Sequence, residues 1–106
     1  MIKGYRIITL CGSTKFKDEY MKAQRELTLE GNIVISVGLF GHADGDYKIA
    51  ITDDVKIMLD NMHKRKIDLA DEIFVINVCG YIGESTRSEI DYAIENGKDV
   101  YYLESI

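Results

Sequence analysis

The spacing of apolar residues along this chain changes several times, and each change marks the boundary of a predicted element. Short β-branched runs predict four strands, because a strand covered on both faces is apolar along most of its length. These strands cover residues 5–11, 32–37, 72–78 and 99–104. Between them, apolar residues at helical spacing predict three helices. The helices run from Ser13 or Thr14 to Gly31, from Thr52 to about Ala70, and from about Thr86 to Asn96.

The middle helix has a well-defined start, because Thr52 can cap it and Asp53 and Asp54 complement the positive end of its dipole. Its inward face is predicted to carry four apolar residues, Val55, Met58, Leu59 and Met62. The preceding segment, residues 38–46, contains three glycines and two aspartates, and this composition predicts a mobile loop.

Strands that alternate with helices indicate the α/β class, with helices covering a parallel sheet. Right-handed crossovers then predict a three-layer sandwich with a flavodoxin-like or Rossmann-like four-stranded sheet in the order 2-1-3-4. In such sheets a ligand binds beyond the carboxyl ends of the strands, where the strand order reverses. Here that point lies between the first and third strands.

Composition narrows the class of protein further. The 106 residues suit a single domain spanning residues 1–106, and 46% apolar with 29% charged residues excludes disordered and collagen-like chains. A net charge of −5 with no basic run argues against duplex nucleic acid as a partner. The apolar stretches are shorter than the roughly 20 residues that span a bilayer, so no membrane partner is expected. Without a signal-peptide pattern, we expect a cytoplasmic protein whose Cys11 and Cys79 remain thiols.

A candidate anion site follows the first strand. Gly12-Ser13-Thr14-Lys15 combines a flexible turn, two hydroxyls and a positive charge before a helix N-terminus, which favours a phosphate or carboxylate. Gly80 follows the third strand in the same way. Neither the Walker motif nor the Gly-x-Gly-x-x-Gly dinucleotide motif is present. The alternative is that Gly12 and Ser13 only form a turn and a cap.

Glu89 is the carboxylate best placed to act, since the last helix would hold it at the edge of the buried face, on the side of Ala93. The structural alternative is a capping box formed by Thr86 and Glu89. Glu84 in the preceding loop is predicted to be solvated rather than catalytic.

The remaining polar candidates have structural alternatives. His63 lies beside the apolar face of the middle helix, where a lone histidine is most often structural. No second histidine or cysteine stands at ligand spacing and His42 lies in a distant loop, so no metal site is expected. Cys11 and Cys79 could meet across neighbouring strands, but small buried residues explain them better. Tyr47 and Tyr81 are the tyrosines that could stack on a planar ligand.

These motifs resemble the nucleoside 2-deoxyribosyltransferase superfamily, especially its 2′-deoxynucleoside 5′-phosphate N-hydrolase branch. The first resembling segment is residues 11–15, and the second comprises residues 70–75, 89–93 and 97–98. The resemblance implies that Glu89 is the nucleophile that attacks the anomeric carbon. It also implies that Gly12 and Ser13 line the sugar or phosphate pocket and that Lys15 lies near phosphate. The family's mechanism needs no cofactor and no metal.

Other positions depart from the family pattern. Where the family has an aspartate that assists the leaving base, eight residues before Asp71, this chain has His63, which could protonate a base near neutral pH. The glycine loop before Glu89 departs from the family's phosphate-binding serine pattern, for which Ser85 and Ser88 are the candidates here. Ser85, Gly80 and Tyr81 complete the candidate substrate site. The sequence given ends at Ile106 without the C-terminal segment that completes a neighbour's pocket in the transferases, so the contacts of an expected homodimer or higher homo-oligomer would come from elsewhere.

Three functions therefore compete. The first is an N-glycosidic hydrolase or base-exchange transferase that acts on a nucleoside or nucleotide. The second is a non-catalytic nucleotide-binding or sensing module, which the His63 departure and the small size favour. The third is an interaction domain in which Glu89 only caps its helix.

Overall fold

The computed structural model describes residues 1–40 and 52–105, which contain a four-stranded, all-parallel sheet in the order β2-β1-β3-β4. The strands are β1 (Ile7–Gly12), β2 (Ile33–Ile35), β3 (Glu72–Ile76) and β4 (Asp99–Tyr102). The helices within the described ranges are α1 (Lys17–Leu29), α2 (Asp53–Asp68) and α3 (Glu84–Glu95). The predicted α/β class and strand order are confirmed.

Alternating side chains of β1 and β3 belong to two separate hydrophobic cores, one on each face of the sheet. On one face the strands pack against α1 through a cluster of Ile8, Leu10, Tyr20, Ala23 and Ile76. On the other face they pack against α2 and α3 through a cluster of Cys11, Ile67, Ile73, Val75, Ile90 and Ala93. Helices therefore cover both faces, as the predicted three-layer sandwich requires.

The register of the two central strands fixes which residues share an edge of the sheet. Ile8 of β1 pairs with Glu72 of β3 at the amino end, and Gly12 pairs with Ile76 at the carboxyl end. The segments that follow β1 and β3 thus leave the same edge side by side, where the strand order reverses.

Two helices begin at different residues from those predicted. α1 starts at Lys17 after the N-cap Phe16, with no side-chain cap, because Ser13 Oγ instead accepts a 3.4 Å hydrogen bond from the Lys15 amide within the turn. α3 starts at Glu84 after the N-cap Gly83, two residues before the predicted start. Caps from Ser13 or Thr14 and a start at Thr86 were therefore wrong.

The start of α2 is confirmed, whereas its predicted apolar face is only partly correct. Thr52 Oγ1 accepts a 3.3 Å hydrogen bond from the Val55 amide, as an N-cap should. Met58 and Met62 are exposed, and the buried residues of α2 are His63 and Ile67. The inward stripe thus contains a histidine where the pattern predicted a methionine.

β3 ends at Ile76, before the predicted limit of residue 78, because hydrogen bonds of the Asn77 side chain replace the pairing between strands from that residue on. The buried Asn77 amide donates to the Glu104 carbonyl and accepts from the Glu104 amide. A single 3₁₀ turn follows over Val78–Gly80, with Cys79 at a positive φ of 52°. β2 and β4 are also shorter than predicted.

Most of the predicted mobile loop, including His42, lies outside the described residues, and so does Tyr47. In the ranges 1–40 and 52–105, no helix combines the length and apolar character needed to cross a membrane.

Candidate active site

Glu89 lies on the buried side of α3. Thr86 and Ala93, three residues before it and four after it, are both buried, so Glu89 shares their face of the helix. Its side chain is only 13% exposed. Because α3 begins at Glu84 and Gly83 is its N-cap, Glu89 stands in the second turn and cannot form the proposed capping box with Thr86. The cap that competed with a chemical role for Glu89 is therefore absent.

Glu89 meets two other polar side chains from separate elements. His63 Nε2 of α2 lies 3.8 Å from Glu89 Oε1 and 3.4 Å from Cys11 Sγ of β1. One potential ligand atom from each of the three residues lies within 4.8 Å of the others. We call these three residues the acid–imidazole–thiol cluster. It forms because β1 directs Cys11 toward the face of the sheet that α2 and α3 cover.

Burial shifts the pKa values of Glu89 and His63 in opposite directions. Desolvation raises the pKa of Glu89 to about 8; the nearby Asp60 charge adds to this shift and Lys64 opposes it. Desolvation and the charge of Lys66 lower the pKa of His63 to about 4, against smaller effects of Asp60 and of a hydrogen bond to the Leu10 backbone. At neutral pH the carboxyl group is therefore protonated and the imidazole is uncharged.

The thiol follows the same trend. Cys11 is fully buried, and desolvation, followed by the charge of Glu89, raises the pKa of its thiol well above the ordinary value. The cluster is consequently an uncharged group of three polar side chains at the carboxyl end of β1.

Gly12 follows Cys11 of this cluster, and the backbone around it leaves no room for a side chain. Its φ is +149°, and a Cβ there would lie 2.9 Å from the Ile76 carbonyl oxygen and 3.3 Å from the Tyr20 hydroxyl. That hydroxyl donates a 2.8 Å hydrogen bond to the Gly12 carbonyl. Tyr20 belongs to the core on the α1 side of the sheet, so this hydrogen bond joins α1 to the end of β1. Desolvation is the main cause of the raised pKa of the Tyr20 hydroxyl.

Lys15 and Tyr81 join the loops that follow β1 and β3. Lys15 Nζ lies 3.8 Å from the centroid of the Tyr81 ring, and Phe16 packs edge-on against the same ring at 5.9 Å between centroids. Tyr81 is 47% exposed. Two predicted binding residues thus form one exposed aromatic and cationic surface at the expected edge of the sheet.

The other predicted binding residues are less directly engaged. Ser13 uses its hydroxyl and carbonyl within its own turn. Gly80 has a φ of +76°, and no neighbouring atom of the described residues lies within 4 Å of an added Cβ, so its backbone conformation favours glycine. Ser85 is exposed in the first turn of α3, next to the exposed Glu84.

Sequence reasoning missed the involvement of Cys11. The structure keeps Cys11 and Cys79 as free thiols, one buried and one exposed, so the idea that they meet is wrong. Cys11 instead contacts His63, which is 52 residues away and carries no sequence signal for that contact. The expectation of no metal rested on sequence spacing, whereas three potential ligands come together only in the fold.

A groove of about 480 Å³ along α3, lined by Lys64, Arg87 and Asp91 among others, is a separate feature. None of the three cluster side chains lines it. It therefore does not define the candidate site.

The fold and the cluster define an α/β protein with a buried acid–imidazole–thiol group at the carboxyl edge of its sheet. Comparison with known proteins adds no family: no family model matches the sequence, and no curated protein matches it significantly. The resemblance to the deoxyribosyltransferase superfamily is therefore a proposal that depends on the residues described above.

Proposed function

We propose that this protein cleaves the N-glycosidic bond of a deoxynucleoside or its 5′-monophosphate, with Glu89 as the nucleophile. The observation that carries the proposal is the buried Glu89 carboxyl group, which is 13% exposed, lies 3.8 Å from His63 Nε2 and belongs to one cluster with Cys11, the residue before Gly12. A carboxylate held in this way can form a covalent sugar ester.

The acid–imidazole pair supplies both the nucleophile and the proton that the first step needs. Between its two pKa values the pair holds one proton, which rests on Glu89 in the free protein. Transfer of this proton to His63 yields a carboxylate and an imidazolium. The carboxylate oxygen bonds to the anomeric carbon, the N-glycosidic bond breaks, and the departing base takes the bonding electrons and the imidazolium proton.

The second step releases the sugar. Water attacks the anomeric carbon of the ester while neutral His63 accepts its proton, and Glu89 leaves as a carboxylate that recovers this proton. Attack by a second base instead of water gives base exchange. The residues present are compatible with either outcome.

Lys15 and Tyr81 give the substrate a place to bind. A nucleotide phosphate would interact with the Lys15 ammonium group, and a planar base would stack on the exposed Tyr81 ring. Gly12, Ser13, Gly80 and Ser85 lie close to Lys15 or Tyr81 along the chain and are proposed to complete the site.

The second candidate function is a nucleotide-binding module without turnover. The contact between Lys15 and Tyr81 favours it, because this surface requires no chemistry from Glu89. The uncharged resting state of the cluster also suits a structural role.

Base release from a panel of deoxynucleosides and 5′-monophosphates, measured by chromatography, tests the enzyme directly. Glu89→Gln should reduce release by about 10³-fold or more, because an amide cannot form the ester. Glu95→Gln on the exposed side of the same helix is the matched control and should retain wild-type activity.

Thermal unfolding with the same compounds separates the alternatives, since a ligand that binds only the folded state raises its stability. Stabilisation without base release would refute the enzyme and support the binding module. Neither stabilisation nor release would refute both.

A further inference from the structure

We propose that Cys11, His63 and Glu89 form a binding site for one Zn²⁺ ion. The inference goes beyond the glycosidic function, because a carboxylate that coordinates zinc cannot also attack a sugar. Zinc would therefore be an inhibitor of the proposed enzyme rather than its cofactor.

The distances within the cluster are close to those that zinc requires. Zinc bonds of about 2.0–2.3 Å to sulfur, nitrogen and oxygen place tetrahedral ligand atoms roughly 3.3–3.6 Å apart. Cys11 Sγ lies 3.4 Å from His63 Nε2, which lies 3.8 Å from Glu89 Oε1. The Cys11 sulfur and the Glu89 oxygen lie within 4.8 Å of each other, so side-chain movements of roughly 1 Å would bring all three ligand atoms to these separations.

The donor set selects the kind of metal. A thiolate with an imidazole and a carboxylate suits zinc, whereas magnesium and calcium prefer oxygen ligands alone. Coordination releases the thiol proton of Cys11 and the carboxyl proton of Glu89 to solvent, since the thiolate and the carboxylate are the ligands. Three protein ligands leave a fourth position for water.

The fold provides both rigidity and access. The ligands come from β1, α2 and α3, whose packing fixes their separation without any loop. Cys11 is fully buried and forms the base of the site, while the His63 and Glu89 side chains are 11% and 13% exposed. An ion can therefore enter from the His63 and Glu89 side.

Titration of the metal-free protein with Co²⁺, a spectroscopic substitute for zinc, tests the site without any need for turnover. One equivalent should produce a thiolate-to-cobalt charge-transfer band together with the visible bands of four-coordinate cobalt. Zn²⁺ should abolish both by displacement.

Cys11→Ser should remove the charge-transfer band and weaken zinc binding by about 100-fold or more, because even loss of a residue supporting a ligand costs 10- to 100-fold. Cys79→Ser is the matched control, since it removes the exposed thiol and should leave the spectrum unchanged. Glu89→Gln should keep the charge-transfer band but alter the visible bands.

Absence of a charge-transfer band in the folded wild-type protein would overturn the proposal, whatever the variants do. So would a band that survives Cys11→Ser and disappears in Cys79→Ser. The cobalt spectrum does not depend on base release. The zinc proposal can therefore be refuted while the enzymatic proposal is supported, and the reverse is equally possible to observe.

Discussion

At the scale of single residues, burial controls the charge of Glu89 and His63. The carboxyl group keeps its proton up to a pKa of about 8, and the imidazole stays neutral down to a pKa of about 4. The pair thus carries a single proton across the neutral range, and removing water from the site is the main physical cause of both shifts. The proposed chemistry depends on moving that proton over a distance of 3.8 Å.

The raised pKa of Glu89 predicts a pH-dependent difference in stability between the wild type and Glu89→Gln. From pH 4.5, its ordinary pKa, to about 8, the unfolded chain loses this proton while the folded chain retains it. The free energy of unfolding of the wild type should therefore fall relative to that of the variant as pH rises through this window. The upper bound is about 5 kcal/mol, at 1.36 kcal/mol per pKa unit. Urea unfolding at several pH values, with a chelator present, measures the difference.

Glu95→Gln again provides the matched control, because its carboxylate is exposed on the same helix. Its stability should follow the wild type at every pH. A constant difference between the wild type and Glu89→Gln from pH 4.5 to 8 would show that the Glu89 carboxyl group titrates in the folded protein much as it does in the unfolded chain.

At the scale of elements, the central strands set the spacing of the site. Gly12 pairs with Ile76, and the Tyr20 hydroxyl closes the turn by donating to the Gly12 carbonyl. The sequence signalled a turn at Gly12 but not its reason, which is the approach of a backbone oxygen from the neighbouring strand. The predicted start of α3 was also wrong. Thr86 is a residue type typical of an N-cap, yet it is buried in the first turn of a helix whose N-cap is Gly83.

Gly12→Ala should destabilise the protein more than Gly31→Ala. Both glycines have a positive φ, so each substitution introduces backbone strain of about 1–3 kcal/mol. Of the two, Gly12 also brings the added Cβ too close to another atom, at 2.9 Å from the Ile76 carbonyl oxygen, whereas no neighbouring atom in the described part of the chain lies within 4 Å of a Cβ at Gly31. We expect an additional loss of about 1–3 kcal/mol for Gly12→Ala in urea unfolding. Equal losses of unfolding free energy in the two variants would mean that β1 and β3 can move apart at their carboxyl ends without cost.

At the scale of the whole molecule, the two edges of the sheet have opposite character. The carboxyl edge holds the uncharged acid–imidazole–thiol cluster, whereas ion pairs join the strands at the amino edge. There Arg6 bonds to Glu72 of β3 and, at 2.7 Å, to Asp99 of β4. Alternating strands and helices were enough to predict the sheet order. The contact between Cys11 and His63 was not predictable, because it depends on how α2 packs across β1 rather than on spacing along the chain.

Because the ion pairs and the acid–imidazole–thiol cluster lie at opposite edges of the sheet, we predict that the ion pairs can be broken without disturbing the cluster. Arg6→Met should lower the free energy of unfolding by about 1–3 kcal/mol, because it leaves the Glu72 carboxylate, only 10% exposed, without its partner. Adding Glu72→Gln should restore part of that loss by removing the unpaired charge. The cobalt spectrum and any base release should remain at wild-type levels in both variants, since four residues of strand, about 13 Å, separate Glu72 from Ile76 at the other edge. A change in either readout in folded Arg6→Met would show that the ion pairs also position the site, and the sheet would then act as one coupled unit.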